Sequence, residues 1–127
     1  MTDTAPLISV VEDDPSVLKG LERLLRAWGY DVRAYRSARE FLDDAGMAAA
    51  CVVVDVHMPG QTGLQLQAEL NREGRRVPVV FITGHGDPSA QHEALSGGAV
   101  AFLKKPFTDQ DLLKAVRQAI QSSAQPS

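Results

Sequence analysis

The sequence predicts an α/β fold, a doubly wound five-stranded parallel sheet with helices on both faces. Three observations predict it. Five apolar runs alternate with five stretches of helical periodicity. Several runs are near-continuous in Val, Ile and Ala, as strands covered on both faces are. Residues that start and stop helices fall between the runs in the right order.

The first strand spans about 7–12, through Leu7-Ile8-Ser9-Val10-Val11. Asp14-Pro15 then sets an N-cap before a first-turn proline. The helix that follows repeats Val17, Leu18, Leu21, Leu24, Leu25 and Trp28 and stops at Gly29. A second strand covers about 31–35; Ser37-Ala38-Arg39-Glu40, with capping-box spacing, opens a helix that Gly46 ends. The third strand is 51–55, followed by a second capping-box pattern, Thr62-Gly63-Leu64-Gln65, and a stop at Gly74. The fourth is 78–83, then Asp87-Pro88 as cap and first turn, and Gly97-Gly98 as stop. The fifth is 99–103. Thr108 caps the last helix, Asp109 and Asp111 suit the positive end of its dipole, and Leu112, Leu113, Val116, Ala119 and Ile120 form its apolar stripe. Right-handed crossovers turn this β-α alternation into an open parallel sheet. Residues 1–121 are expected to form one domain, with the polar stretch 122–127 as a linker-like tail.

The chain's 127 residues suffice for one domain with a real core, and its net charge of −3 argues against a nucleic-acid-binding face. No apolar stretch approaches a membrane span, and the N-terminus lacks a basic segment followed by an apolar one. The lone Cys51 lies inside an apolar run and reads as a buried core residue. A cytoplasmic domain is expected.

Polar groups stand at the ends of the apolar runs: Glu12 and Asp13 after the first, Asp55 after the third, Thr83 after the fourth and Lys105 after the fifth. In a parallel sheet those ends share one edge, where such folds bind ligands. Asp14 already explains the helix cap, so Glu12 and Asp13 are surplus to it. Carboxylates brought this close repel by about 4 kcal/mol per pair at ~4 Å and an effective dielectric of ~20. A hard divalent cation offsets that. Magnesium, which takes few protein carboxylates and keeps several waters, suits the set better than calcium, and cysteine-histidine spacing for zinc is absent. Thr83 and Lys105 suit a phosphoryl group, one as hydroxyl donor and one as countercharge. Taken singly, each of these residues has an ordinary reading as turn former, β-branched strand residue or solvated lysine; the joint pattern carries the inference.

Four segments together resemble the receiver domain of two-component response regulators over about residues 6–121. They are Val10-Val11-Glu12-Asp13-Asp14-Pro15, Val53-Val54-Asp55-Val56-His57-Met58-Pro59-Gly60, Phe81-Ile82-Thr83-Gly84 and Lys104-Lys105-Pro106-Phe107. Thr83-Gly84-His85-Gly86-Asp87 resembles the FixJ-type branch, whose members usually continue into a helix-turn-helix domain. The resemblance implies the flavodoxin-like (CheY-like) strand order 2-1-3-4-5 and a cis bond between Lys105 and Pro106. It implies that Asp55 accepts a phosphoryl group from a phosphohistidine of a sensor histidine kinase or a histidine phosphotransfer protein. Asp13 would then ligate Mg²⁺, Glu12 directly or through water, with the Asp55 carboxylate and the main-chain carbonyl of His57. Glu12 departs from the commoner aspartate. Thr83 and Lys105 would read and neutralise the phosphoryl group, Phe102 would turn inward as the switch aromatic, and His57 and His85 would tune hydrolysis. The output would appear on the face of the fourth helix, fifth strand and fifth helix, through which a homodimer could also form. Neither nucleic acid nor membrane is an expected direct partner.

Three other readings compete. A degenerate receiver acting only by protein interaction conflicts with the retained site residue types. A flavin module conflicts with Glu12-Asp13-Asp14 where a flavin phosphate would sit. An aspartyl phosphatase would need a second acid two residues after its nucleophile, where this chain has His57.

Overall fold

The structure is a computed structural model that describes residues 5–44, 49–84 and 88–124. Ten elements alternate along it: β1 (Leu7–Val11), α1 (Pro15–Ala27), β2 (Asp31–Tyr35), α2 (Ala38–Asp43), β3 (Cys51–Asp55), α3 (Gly63–Arg72), β4 (Val79–Thr83), α4 (Pro88–Ser96), β5 (Ala101–Lys104) and α5 (Asp109–Ala124). All neighbouring strands pair in parallel, in the order β2-β1-β3-β4-β5. From β1 the chain moves outward to β2, then returns past β1 to β3. That reversal opens a crevice at the carboxyl ends of β1 and β3.

The period-two alternation of the strands sorts the core into two layers. Ile8, Val10, Cys51, Val53, Val80 and Ile82 face Leu18, Leu21 and Leu25 of α1 and Leu112, Val116 and Ala119 of α5. Val11, Val52, Val54, Val79 and Phe81 face α2, α3 and α4. Each fully buried aliphatic or aromatic side chain contributes about 1.5–3 kcal/mol. Cys51 is fully buried, as expected, and burial raises its thiol pKa to about 12.

The caps form where the sequence puts them. The Asp14 carboxylate accepts from the Ser16 hydroxyl (3.0 Å), the Ser16 N–H (3.0 Å) and the Val17 N–H (3.4 Å); the hydroxyl first and then the two N–H groups hold its pKa below the usual range. Ser37 accepts from the Glu40 N–H, and Thr62 with Gln65 makes a complete capping box. Thr108 and Asp111 reciprocate in the same way. Gly29, Gly74 and Gly98 have the positive φ of helix stops. Gly46 and Asp87 lie outside the described residues.

Two boundaries differ from expectation by more than one residue. β5 starts at Ala101, not at 99: the Ala99 N–H closes the end of α4 on the Ala94 carbonyl, and the bonds to β4 begin only with the Val100 N–H on the Val79 carbonyl. α5 continues to Ala124, into the segment expected as tail, since no proline or glycine interrupts Gln121-Ser122-Ser123-Ala124.

α4 is held by contacts that its sequence does not announce. Its buried residues are only Ala90 and Ala94. Gln67 of α3, 5% exposed, donates its side-chain N–H to the Ala94 carbonyl (2.9 Å), and Asn71 donates to the Gly97 carbonyl (3.0 Å). A side chain at Gly97 would collide with the Gln67 amide at 2.7 Å. Gln67→Ala is expected to cost about 1–2 kcal/mol, for one hydrogen bond and some packing. The denaturant midpoint should fall, and amide exchange should quicken first in α4. Unchanged exchange there would contradict this account of how α4 is held.

Candidate functional site

The site is built by strand register. Val11 pairs with Val54, Asp55 with Ile82, and Thr83 with Lys104. Glu12 therefore follows its strand directly beside Asp55, while Thr83 comes one step and Lys105 two steps beyond the Asp55 level. The ladder does not fray here. The Glu12 N–H donates to the Tyr35 carbonyl (3.0 Å), Val56 N–H to Ile82 (3.0 Å) and Lys105 N–H to Thr83 (2.8 Å). The Lys105-Pro106 bond is cis.

Glu12, Asp13 and Asp55 each offer a carboxylate oxygen, and these oxygens lie within 4.8 Å of one another. Glu12 is 1% exposed and Asp55 is 7% exposed; Asp13 is half-buried. One Glu12 oxygen accepts from the Asp14 N–H (3.1 Å), while the other, Oε1, is buried without a hydrogen-bond partner. Burial pushes the Glu12 pKa up to about 8, and the Asp55 carboxylate adds to the rise. The Asp14 N–H bond and the more distant Lys105 ammonium oppose it. An unsatisfied buried carboxylate oxygen facing two further acids is a costly arrangement for the protein alone. Three hard oxygen donors, one of them unpaired, fit a divalent cation of the magnesium type.

Asp55 is fixed from two directions. Its Oδ1 accepts from the His57 N–H (3.0 Å). Val56 and Met58 are buried against α3 and the α2–α4 layer, so the loop after β3 is anchored on alternate residues while His57 stays exposed. Thr83 is buried at 1% exposure, and Lys105 is exposed beside Gly84. Phe102 is half-buried, its ring centroid 6.2 Å from that of Phe81. His85 lies outside the described residues. The structure thus brings Glu12, Asp13 and Asp55 together, with Thr83 and Lys105 on the neighbouring strand ends.

Sequence reading missed one participant. Gly63 appears there only within a capping pattern, yet its Cα packs on the main chain of Asp55. Its place directly after the cap Thr62, where a better helix former would serve, was the available signal.

The profile of the family described as "Response regulator receiver domain" matches residues 8–117. The chain belongs to this family: it is a receiver domain of a two-component response regulator. It is 40% identical to the response regulator protein TmoT of Ectopseudomonas mendocina, over 98% of this chain and 57% of that protein. It is 47% identical to nodulation protein W of Bradyrhizobium diazoefficiens, over 89% of this chain and 50% of that protein. It thus spans about half the length of these relatives. Among solved structures, the crystal structure of FixJ-N superposes with a TM-score of 0.87 at 33% identity, covering 95% of this chain and 96% of that one. The sheet order and the receiver fold expected from the sequence are both present. No helix among the described residues is long and apolar enough to cross a membrane.

Proposed function

We propose that Asp55 is the phosphoacceptor of a Mg²⁺-dependent switch, charged by a phosphohistidine of a sensor histidine kinase or a histidine phosphotransfer protein. The observation that carries this reading is the three-carboxylate cluster with its unpaired Glu12 Oε1. Glu12, Asp13 and Asp55 would hold Mg²⁺, with the His57 carbonyl as a further oxygen ligand. The ion supplies charge neutralisation between the carboxylates and the incoming phosphoryl group.

A carboxylate oxygen of Asp55 attacks phosphorus in line. The new O–P bond forms as the P–N bond to the donor imidazole breaks, and the ring nitrogen leaves with the electron pair. Little covalent work falls to the protein, so positioning and charge neutralisation dominate. The His57 N–H holds Asp55 Oδ1 in place. The Lys105 ammonium balances phosphoryl charge, and the Thr83 hydroxyl donates to a phosphoryl oxygen. The acyl phosphate adds nearly two negative charges. Thr83 is drawn toward it and Phe102 turns inward beside Phe81. The face of α4, β5 and α5 then changes for an output segment, a partner or a second copy. The small anchors of α4 support its role as the movable element. His57 and His85 tune hydrolysis of the phosphoryl group. The unit that does this is the receiver domain, acting in the cytoplasm.

Incubation with phosphoramidate and Mg²⁺ should add one phosphoryl group at Asp55, read by intact mass and peptide mapping. An unchanged mass, beside a control receiver that gains the group, would sink this reading.

A further inference from the structure

We propose that Gly63 is a positioning residue for phosphoryl transfer: its bare Cα lets the first turn of α3 rest on the main chain of Asp55. The proposal rests on the reading of Asp55 as phosphoacceptor. Gly63 differs from the other described glycines; at Gly97, which is also crowded, an added Cβ would meet the side-chain amide of Gln67 and not main chain. Gly29, Gly60, Gly74 and Gly98 have positive φ, which explains each by conformation alone. Gly20 sits in α1 with nothing within 4 Å of an added Cβ. Gly63 has no positive φ, so its backbone would accept any residue. Space is what fails. A Cβ there would fall well inside contact of the Asp55 carbonyl oxygen, and 3.1 Å from both the Asp55 carbonyl carbon and Phe81 Cε1.

The contact closes the loop that carries the site. The Gly63 N–H donates to the Val56 carbonyl (3.0 Å), while the Val56 N–H donates to Ile82 (3.0 Å). Residues 56–63 thus leave and re-enter the structure at one point, against Asp55. Inside that loop the His57 N–H holds Asp55 Oδ1, and the His57 carbonyl is the further ligand assigned to the metal. Any side chain at 63 must push back the Asp55 carbonyl or lift the first turn of α3. The first tilts the carboxylate, and the second carries the His57 loop away. The same Cβ presses on Phe81, whose ring neighbours Phe102.

The test compares Gly63→Ala, Thr62→Ala and Gly20→Ala. Alanine favours helix over glycine at both glycine positions, so a loss confined to 63 reports the contact and not propensity. In metal-free protein, Gly63→Ala should shift the amide resonances of Asp55 through Met58. Calorimetry with MgCl₂ should show binding weakened about tenfold, and the saturating phosphorylation rate by phosphoramidate should fall about tenfold, as small misplacements of reacting groups do. The half-saturating phosphoramidate concentration should barely move, and Gly20→Ala should match wild type. Thr62→Ala removes the hydroxyl that receives the Gln65 N–H and adds no bulk. It should move the same readouts in the same direction by a smaller factor, and it serves if Gly63→Ala fails to fold. Wild-type resonances and Mg²⁺ affinity in the folded variants, or in Thr62→Ala alone if the other does not fold, overturn the proposal. Perturbed resonances and Mg²⁺ binding in a protein whose wild type takes no phosphoryl group would instead defeat the phosphoacceptor reading and leave Gly63 as a positioner of the metal site.

Discussion

Asp55→Asn should gain no phosphoryl group from phosphoramidate and Mg²⁺, and without metal it should melt at a higher temperature than wild type. Both results come from removing one charge while keeping the shape. Asparagine retains an Oδ1 to accept the His57 N–H now bonded at 3.0 Å, so the loop after β3 stays in place. Its amide nitrogen is no nucleophile toward phosphorus, so the transfer stops. The stability gain has another source. Asp55 lies within 4.8 Å of the Glu12 and Asp13 oxygens in a crevice where two of the three acids are buried. Deleting one charge there removes repulsion whose gross size is about 4 kcal/mol per pair at an effective dielectric of ~20. Solvent and proton uptake by Glu12 reduce the net gain to about 1–2 kcal/mol. The gain should be larger at pH 8.5 than at pH 6, because at pH 6 Glu12 still holds a proton. Added Mg²⁺ should shrink or reverse it, since the ion stabilises wild type and binds the variant poorly. Thermal melts with and without Mg²⁺ at the two pH values read all of this. A variant that is phosphorylated, or is less stable than wild type without metal, contradicts the assignment.

The parts of this molecule that were legible in the sequence are those written locally. A strand buried on both faces must be apolar throughout, so Cys51-Val52-Val53-Val54 declares itself, and Asp55 at its end stands out by contrast. Caps are local too, which is why Asp14, Ser37, Thr62 and Thr108 bond as expected. The edge shared by Glu12, Asp55, Thr83 and Lys105 follows from parallel topology once the strands are known. What escaped depends on how close two distant elements come. Gln67 sits beside Leu66 in α3 like any polar helix residue, and only the approach of α4 makes it a buried clamp. Gly63 reads as a neutral first-turn residue until α3 lies on β3. The start of β5 moved for a similar reason: the Ala99 N–H closes the end of α4 on the Ala94 carbonyl, an approach the local sequence does not show.

The stability of the metal-free protein should fall as pH rises from about 4.5 to about 8, and Mg²⁺ should restore it most at the top of that window. Glu12 sets the sign. Its folded pKa of about 8 lies above the ordinary glutamate value of 4.5, chiefly because its carboxylate is buried. Below 4.5 both folded and unfolded chains hold the proton and Glu12 contributes no pH dependence. Between the two values the unfolded chain has released the proton and the folded chain has kept it. Folding then binds a proton, and stability drops with a limiting slope of about 1.4 kcal/mol per pH unit. Above 8 both are ionised and the slope vanishes. A cation seated on Glu12 competes with that proton, so its apparent affinity should climb by up to about tenfold per pH unit across the same window and then level off. Glu12→Gln keeps the shape and removes the ionisation. Its metal-free stability should exceed that of wild type at pH 8 and lack this pH-dependent component, and its Mg²⁺ binding should be weaker and nearly independent of pH. Subtracting variant from wild-type melts isolates what depends on the Glu12 carboxyl. A difference flat from pH 5 to pH 8, or a Mg²⁺ affinity equal in the two proteins, would mean that Glu12 neither holds a proton in the crevice nor yields it to the metal.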